Sequence, residues 1–331
     1  MKTMSEFQQF FRNELQAKLK SLDKRRRNML WRCFLVILLM IIFVPLAYLI
    51  VNAVSPGGFK NETNIYVFLG LCLLNIIIGV IVFRKWGRDR KLYSDFKSQI
   101  IGNIVQFVNP SLQYEAHKCI SYNDFKRSRI FLQDVDRYRG DDLVYGMIDK
   151  TQISFSEIKA EYETHSTDSD GNSSSEWHTL FKGIFFVADF NKDFNTSTIV
   201  LPNRFGKGFL GNFFKKINLN RKEKFVALED PNFNKHFVVY SMDQVEARYI
   251  LSPALMQRIV EFKEKRKEPI YISFVKSQMY IAISYKRDLF EPRYFAKIAN
   301  YKKINEYYQD LQLAVSIVEE LNLNNRIWTK Q

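Results

Sequence analysis

The chain has 331 residues, 47% of them hydrophobic and 25% charged, which is enough for one or two domains with a substantial core. Its net charge of +14 suggests a nucleic-acid partner at first, but about +10 of it lies in residues 1–91. The remaining residues are close to balanced, so no nucleic-acid-binding domain is expected. Three cysteines are too few for a disulfide framework and a zinc cluster is not expected.

Residues 1–32 are predicted to form a basic amphipathic helix. Ser5 and Gln8 fit a capping box at its start. Apolar residues then recur at helical spacing: Phe7, Phe10, Phe11, Leu15, Leu19 and Leu22. This apolar face fits two roles, either lying in a membrane interface or packing against the rest of the protein, and the spacing does not separate them.

Two long apolar segments follow, about residues 34–51 and 65–83, and neither contains a charged residue. Each is near the ~20 residues that a helix needs to cross a hydrocarbon core of ~30 Å. Residues 33–91 are therefore predicted to form a transmembrane hairpin. A cleaved signal peptide is disfavoured, because a long polar stretch precedes the first segment and a second apolar segment follows soon after it.

Lys and Arg are concentrated on one side of this hairpin. They precede the first span and follow the second, whereas the connecting residues 52–64 contain only Lys60. The positive-inside rule then places both termini in the cytoplasm, together with the domain formed by residues 92–331.

Small and polar residues line one face of the second span. Cys72, Asn75 and Gly79 share this stripe and are predicted to pack against the first span, where Pro45 predicts a kink. Self-association through the same stripe is the alternative. Two spans without an ionisable residue offer no path for ions, so a pore or transporter made by one copy is not expected.

Residues 92–331 are predicted to form an α+β domain with a mainly antiparallel sheet and flanking helices. A helix from Leu92 ends near Asn109–Pro110, and strand-like segments with hairpin signals follow it. A turn is expected at 229–232, and a helix begins after Ser252–Pro253. A hairpin around Lys276–Gln278 follows, and a last helix covers about 304–321.

Cofactor and metal motifs in this domain are weak. The segment 206–211 matches the glycine fingerprint of dinucleotide-binding folds, but no parallel βαβ unit surrounds it. The loop 168–172 lacks the glycine and glutamate of a calcium-binding EF-hand. His165 and His178 flank that loop without a fixed third ligand. No cofactor and no metal ion is therefore expected.

Catalytic motifs are equally weak, and no catalytic residue is assigned. Asp141 and Asp142 follow a glycine and are expected at a turn, where Asp bonds to the local backbone. Glu246 and Arg248 are close in sequence and are expected to form a structural ion pair.

One segment of the domain, residues 204–225, combines basic residues with phenylalanine. We expect it to contact the anionic inner leaflet, which attracts basic residues and accommodates aromatic rings at its surface. The alternative is a solvated loop whose phenylalanines pack into the core. The candidate residues are Arg204, Lys207, Phe209, Phe213, Phe214, Lys215, Lys216, Arg221, Lys222 and Lys224.

Several sequence strings are characteristic: YRGDDLVYG, ISFSEIKAE, FKGIFFVADFNKDF, LEDPNFNKHFVVYSMDQVEARYILSPALM and NRIWTK. They resemble an uncharacterised bacterial family of membrane-anchored proteins, domain of unknown function 3137. The resemblance implies the bacterial inner (cytoplasmic) membrane as the location, with a membrane hairpin ahead of this domain. It implies no activity, ligand or catalytic residue.

The expected function is that of a membrane-anchored cytoplasmic binding or scaffold module. Its expected partners are membrane lipids and a protein, with no nucleic acid, and a homo-oligomer stays open. Two alternatives also stay open: an enzyme with an unrecognised site in the cytoplasmic domain, and an accessory subunit of a larger membrane complex.

Overall fold

The computed structural model describes residues 2–54, 62–86, 90–167, 173–190, 193–203, 221–292, 295–321 and 323. The chain divides into two compact units, Lys2–Ile100 with Pro292–Tyr301, and Ile101–Glu291 with Lys302–Gln331. The fold class is α+β, as the sequence predicts: long apolar helices come first and a nine-stranded antiparallel sheet with flanking helices follows.

The first unit begins with a helix that runs from Met4 to Val54. Its parts are α1 (Met4–Phe10), a π-helical turn (Phe11–Leu15) and α2 (Gln16–Val54). The predicted cap at Ser5 is wrong. The helix begins two residues earlier than Ser5 would allow, with Thr3 as its cap: Thr3 accepts a hydrogen bond from the Glu6 amide, and the Glu6 carboxylate accepts one from the Thr3 amide.

The apolar face at the start of this helix is buried. Phe7, Leu15 and Leu19 have no exposed surface. The Phe11 ring meets Tyr301 edge-on with ring centroids 5.0 Å apart, and the Asp23 carboxylate accepts a 2.9 Å hydrogen bond from the Ile298 amide. Of the two roles that the sequence leaves open, packing inside the protein is the one observed.

Helix α2 and helix α3 (Glu62–Trp86) are long and apolar enough to cross a membrane, by length and composition. Their large apolar side chains point outward: Leu39 is 65% exposed, and Leu49 and Leu73 are each 61% exposed. Helix α2 continues through Pro45. The same unit contains α4 (Arg90–Phe96), which leads through a π-helical turn (Lys97–Ile101) into α5 (Gly102–Val108) of the second unit.

The second unit is built on a single sheet. Its strands are β1 (Leu112–Glu115), β2 (Arg137–Ile148), β3 (Thr151–Thr167), β4 (Ser173–Asp189), β5 (Ser197–Pro202), β6 (Lys224–Val226), β7 (Phe237–Ser241), β8 (Ile270–Val275) and β9 (Gln278–Ser284). Their order is β1-β2-β3-β4-β9-β8-β5-β7-β6, and all neighbouring pairs are antiparallel. The predicted hairpin between β8 and β9 is confirmed.

Helices connect the strands, namely α6 (Tyr122–Arg127), α7 (Pro231–His236), α8 (Gln244–Ile250) and α9 (Pro253–Glu264), and the longer helix α10 (Tyr301–Glu320) follows the last strand. The turn expected at 229–232 is in fact the start of α7, with Asp230 as its cap and Pro231 at its first position. This dipeptide fits a helix start as well as a turn, since proline lacks only a donor that the first helical turn leaves unused. Ser252 caps α9 as predicted.

The two faces of the sheet have different neighbours. One face holds an aromatic core in which Phe125 of α6 packs on Phe181 and Phe185 of β4. The opposite face carries Phe155 and Phe186, whose rings stack with centroids 6.2 Å apart. The polar side chains described next lie on this second face, beyond its apolar part.

Candidate functional site

Along the second face of the sheet, the side chains of strand β3 change from apolar to charged. Alternate residues point to the same face of a strand, so Phe155, Glu157, Lys159 and Glu161 form one row. Glu157 and Glu161 are only 8% and 6% exposed, respectively. Two buried carboxylates therefore follow directly after the apolar part of this face, and each is the centre of a cluster of charged groups.

The first cluster is acidic and contains Asp141, Asp142 and Glu157. Their carboxylate oxygens lie within 4.8 Å of one another. Asp141 is directly opposite Glu157 in the pairing of β2 with β3, and Asp142 follows it in an irregularity between Asp141 and Val144. The turn expected at these residues is corrected to an interruption within β2, where Asp142 has a φ of 58°, a conformation that Asp tolerates better than most residues.

The protein supplies hydrogen bonds to this cluster. Asp142 accepts a short hydrogen bond from the Tyr114 hydroxyl, and Glu157 accepts a 2.8 Å bond from the Leu289 amide. Burial raises the pKa of Glu157 to about 8; the Leu289 amide opposes the rise and the charges of Asp141, Asp142 and Asp288 add to it. Carboxylate oxygens suit Ca²⁺ or Mg²⁺, but these contacts already account for the cluster as part of the folded core, and we assign no ion to it.

The second cluster is basic and surrounds Glu161. The Glu161 carboxylate lies 2.5 Å from Lys159 Nζ, 2.8 Å from Arg139 Nη2 and 3.8 Å from Arg137 Nη1. One buried carboxylate thus serves three cations that are each 38–58% exposed at the side chain. The hydrogen bond from Lys159 is the main reason that the pKa of Glu161 is lowered.

An exposed tryptophan adjoins the basic cluster. The Arg137 guanidinium lies over the Trp177 ring at 3.9 Å from its centroid, a cation–π contact that fixes the arginine side chain. Trp177 is opposite Glu163 in the pairing of β3 with β4, which places the ring on the same face as Glu161.

The two histidines near the 168–172 loop do not meet. His165 pairs with Ser175 and His178 pairs with Tyr162, so they are three positions apart along the ribbon and point to opposite faces. His178 stacks on Tyr162 at 5.2 Å. The residues 168–172 and the glycine fingerprint 206–211 lie outside the described residues.

The expected ion pair between Glu246 and Arg248 is wrong. Glu246 accepts hydrogen bonds from the amides of Asn195 and Thr196, at 2.8 and 2.9 Å, whereas Arg248 donates to the carbonyls of Gln244 and Ala227. Residues two apart on a helix point in different directions, which is why each side chain finds its own partners. Glu246 instead holds the segment that leads into β5.

The basic aromatic segment is described only in its last part. Arg204, Lys207, Phe209, Phe213, Phe214, Lys215 and Lys216 lie outside the described residues. Of the remaining candidates, Lys222 and Lys224 are exposed. Arg221 is half-buried and donates to the carbonyls of Arg129 and Ile130 at 2.9 and 2.5 Å, so its guanidinium has partners within the domain.

The stripe on α3 faces α2 at two of its three residues. The Asn75 side-chain amide donates a 3.2 Å hydrogen bond to the Met40 carbonyl. A Cβ atom added at Gly79 would lie 2.2 Å from the Met40 Cε atom, so the absence of a side chain allows the two helices to approach. Cys72 is half-buried.

Sequence reasoning missed Glu157, Glu161 and the arginines around them. The signal was present in the alternation of β3, where two glutamates continue the row that Ile153 and Phe155 begin. A charged residue in the buried row of a strand indicates a partnered carboxylate. The partners that come from β2 and from the segment after β9 could not be foreseen, because they are distant in the sequence.

Residues 179–323 match the family model described as Protein of unknown function (DUF3137). The DUF3137 match confirms the resemblance seen in the sequence, over the part of the chain from β4 to the end of α10. No curated protein matches the chain.

A solved structure is also similar, at low identity. It is the crystal structure of the mycobacterial trehalose monomycolate transport factor A, TtfA, with 8% sequence identity and a TM-score of 0.31 over 66% of this chain and 95% of that chain. At this TM-score the similarity establishes neither a shared fold nor a shared function.

Proposed function

We propose that the chain is a membrane-anchored binding module, in which α2 and α3 cross a membrane. The second unit, Ile101–Glu291 with Lys302–Gln331, which we call the sheet domain, would bind a protein partner. The main support for membrane insertion is the outward apolar surface of both helices, on which Leu39, Leu49 and Leu73 are more than half exposed. Water would solvate a surface of this extent poorly, whereas hydrocarbon would match it. The Asn75 bond to Met40 satisfies an amide that would otherwise face lipid.

The proposed location is the bacterial inner membrane with both termini in the cytoplasm. Support comes from the charge distribution: Lys and Arg are concentrated in the first part of α2, before its apolar segment, and at and beyond the end of α3, whereas Lys60 is the only Lys or Arg in the connecting residues 52–64. The sheet domain follows α3 in the chain and would then lie in the cytoplasm. A binding role for this domain is supported by its exposed basic and aromatic side chains around Glu161.

The anchor is tested by extraction of the full-length protein from membranes at alkaline pH. Wild-type protein is expected to stay in the membrane fraction. Leu39→Lys with Leu73→Lys is expected to release it, because each places a charge at a lipid-facing position at a cost of about 2.5–3.5 kcal/mol. Val245→Lys, at a residue 76% exposed on α8, is the matched control and should stay in the membrane. Release of wild-type protein by alkali would refute the anchor.

Contact of residues 204–225 with the inner leaflet is a second proposal about the same module. It is supported at its described end, where Lys222 and Lys224 are exposed and the Phe225 side chain is 57% exposed. Exposed lysines beside an exposed ring are the combination that an anionic interface favours.

Full-length protein reconstituted in vesicles tests this contact. A polarity-sensitive dye on Phe225→Cys, in a background where the three native cysteines are serine, should shift to the blue with phosphatidylglycerol and not with phosphatidylcholine alone. Lys222→Glu with Lys224→Glu should remove the shift, and Lys267→Glu, another exposed lysine, should leave it. The same emission in both lipids would refute leaflet contact.

A further inference from the structure

The basic cluster around Glu161 is part of a longer row of cations. Arg139 is directly opposite Lys159, and Lys159 is directly opposite Lys182, in the pairings of β2, β3 and β4. Side chains at directly opposed positions share one face, so three cations stand side by side across three strands. We call Arg139, Lys159 and Lys182, together with Arg137 and Trp177, the basic face.

Like charges at directly opposed positions destabilise a sheet unless they are compensated. Among the described residues, the ion pairs of these cations come from two carboxylates: Glu161 contacts Arg137, Arg139 and Lys159, and Asp288 contacts Lys182 at 2.6 Å. Two carboxylates therefore serve four cations. The Glu161 carboxylate is buried beneath its three partners, which leaves their outer surfaces exposed to solvent.

We propose that the basic face binds an acidic, extended segment of a partner protein. This inference rests on the proposed role of the sheet domain in binding a protein, and it does not depend on the membrane anchor. The row Arg139, Lys159 and Lys182 spans about 10 Å, at strand spacings of ~4.8 Å. Alternate side chains of an extended segment point the same way at ~7 Å, so two carboxylates from alternate residues fit over the row.

The neighbours of the row define the orientation of this segment. Glu163 lies opposite Trp177 on the same face and has no ion pair among the described residues, so carboxylates are expected over the row and not beside the tryptophan. Trp177 is 39% exposed and offers contact for an apolar side chain. Asp141 and Glu157 limit the row on its other side.

A protein is favoured over a lipid headgroup as the ligand, because these side chains are held in fixed positions. Arg137 is stacked on Trp177, and Arg139 and Lys159 are held by Glu161 at 2.8 and 2.5 Å. Fixed arginines beside tryptophan are typical of protein interfaces, where preorganised side chains lose little entropy on binding. Attraction to an anionic leaflet needs no such fixed arrangement.

The proposal is tested on full-length protein in phosphatidylcholine nanodiscs. The probe is a fluorescein-labelled peptide of alternating Glu and Thr that also contains one Leu, called the Glu peptide, and its binding is measured by fluorescence anisotropy. The Glu peptide should bind and a matched Lys peptide should not, and binding should weaken as salt rises. Arg139→Ala should weaken it about tenfold, the effect of losing one charge-assisted contact. Arg127→Ala, an arginine on α6 that pairs with Asp124, is the matched control and should have no effect.

Glu161→Gln separates an electrostatic effect from a folding defect. It removes the negative charge under the cations but keeps an amide oxygen that accepts their hydrogen bonds and holds them in place. The Glu peptide should therefore bind several-fold more tightly, even though the domain becomes less stable. Weaker binding by this variant, equal binding of the two peptides, or an equal loss with Arg127→Ala would overturn the proposal. Binding to phosphatidylglycerol vesicles without binding to the Glu peptide would assign the face to lipid and also overturn it. The alkaline extraction of the anchor is independent of every one of these outcomes.

Discussion

The backbone amide of Leu289 donates a 2.8 Å hydrogen bond to Glu157, a carboxylate that lies 132 residues earlier in the chain. This bond joins the segment after β9 to the middle of the sheet. Burial raises the pKa of Glu157 to about 8, so this carboxyl is largely protonated in the folded protein near neutral pH. A buried acid of this kind makes stability depend on pH.

The first prediction concerns the pH dependence that Glu157 creates. Its pKa rises from 4.5 to about 8 in the folded protein, so the folded state binds this proton more tightly than the unfolded state. The contribution of Glu157 is therefore most favourable below its unfolded pKa and is lost as the pH rises through the folded value. Glu157→Gln should flatten the profile and should be more stable than wild type above pH 8, by on the order of a few kcal/mol.

Thermal unfolding of the full-length protein in mild detergent, followed from about pH 4 to pH 9, measures this difference. Glu229→Gln, at an exposed glutamate, serves as the control and should parallel the wild type. Parallel profiles for Glu157→Gln and the wild type would show that Glu157 has an ordinary pKa.

The second prediction concerns the close approach of two strands at Gly183. This residue of β4 has a φ of +152°, and a Cβ atom there would lie 2.0 Å from the Ile283 carbonyl oxygen of β9. Backbone atoms of a central strand pair cannot move aside easily. Gly183→Ala should therefore lower the free energy of unfolding by about 3 kcal/mol or more.

Urea unfolding followed by circular dichroism tests this prediction on the full-length protein. Gly70→Ala is the matched control, because nothing lies within 4 Å of the position of its Cβ. If the two variants unfolded at the same urea concentration, the close approach of β4 and β9 at Gly183 would be wrong.

The sequence predicts most of the fold because its elements carry local signals. The long apolar helices, the Ser252–Pro253 start of α9 and the β8–β9 hairpin can be read from neighbouring residues alone. The sequence predicts a turn where α7 begins, since Asp230–Pro231 fits the start of either structure. Local signals do not show which of the two the chain continues into.

The charged clusters depend on long-range pairing that no local pattern contains. Glu161 meets Arg139 because β2 and β3 pair in one register, and a shift by one residue would turn either side chain to the other face. The sequence does show that Glu157 and Glu161 continue an apolar row. It does not show that cations surround one of them and carboxylates surround the other.

The third prediction concerns the contacts of Glu246 on α8. Its carboxylate accepts hydrogen bonds from the amides of Asn195 and Thr196 and from the Thr196 hydroxyl. Glu246→Ala should cost about 1–3 kcal/mol, because two backbone donors lose a charged acceptor. Hydrogen exchange should show faster exchange at these two amides. Val245→Ala, next to it and 76% exposed, should leave their exchange unchanged, and equal rates in the Glu246 variant would contradict the contact.

The last prediction tests the packing of α3 on α2 with two glycines of the same helix. A side chain at Gly79 meets Met40 Cε and Sδ at 2.2 and 2.3 Å, whereas one at Gly70 meets nothing within 4 Å. The end of a methionine side chain can move, so alanine at Gly79 is expected to be tolerated. Isoleucine cannot be accommodated in the same way, because its branched side chain fills the space next to the backbone.

Gly79→Ile should therefore lower the stability of the hairpin by about 1–3 kcal/mol, and Gly70→Ile should have little effect. Thermal unfolding of both full-length variants in the same detergent measures the difference. An equal effect of the two substitutions would show that Gly79 does not lie against Met40, and would also remove the reason for a polar residue at Asn75, whose amide bonds to the same methionine.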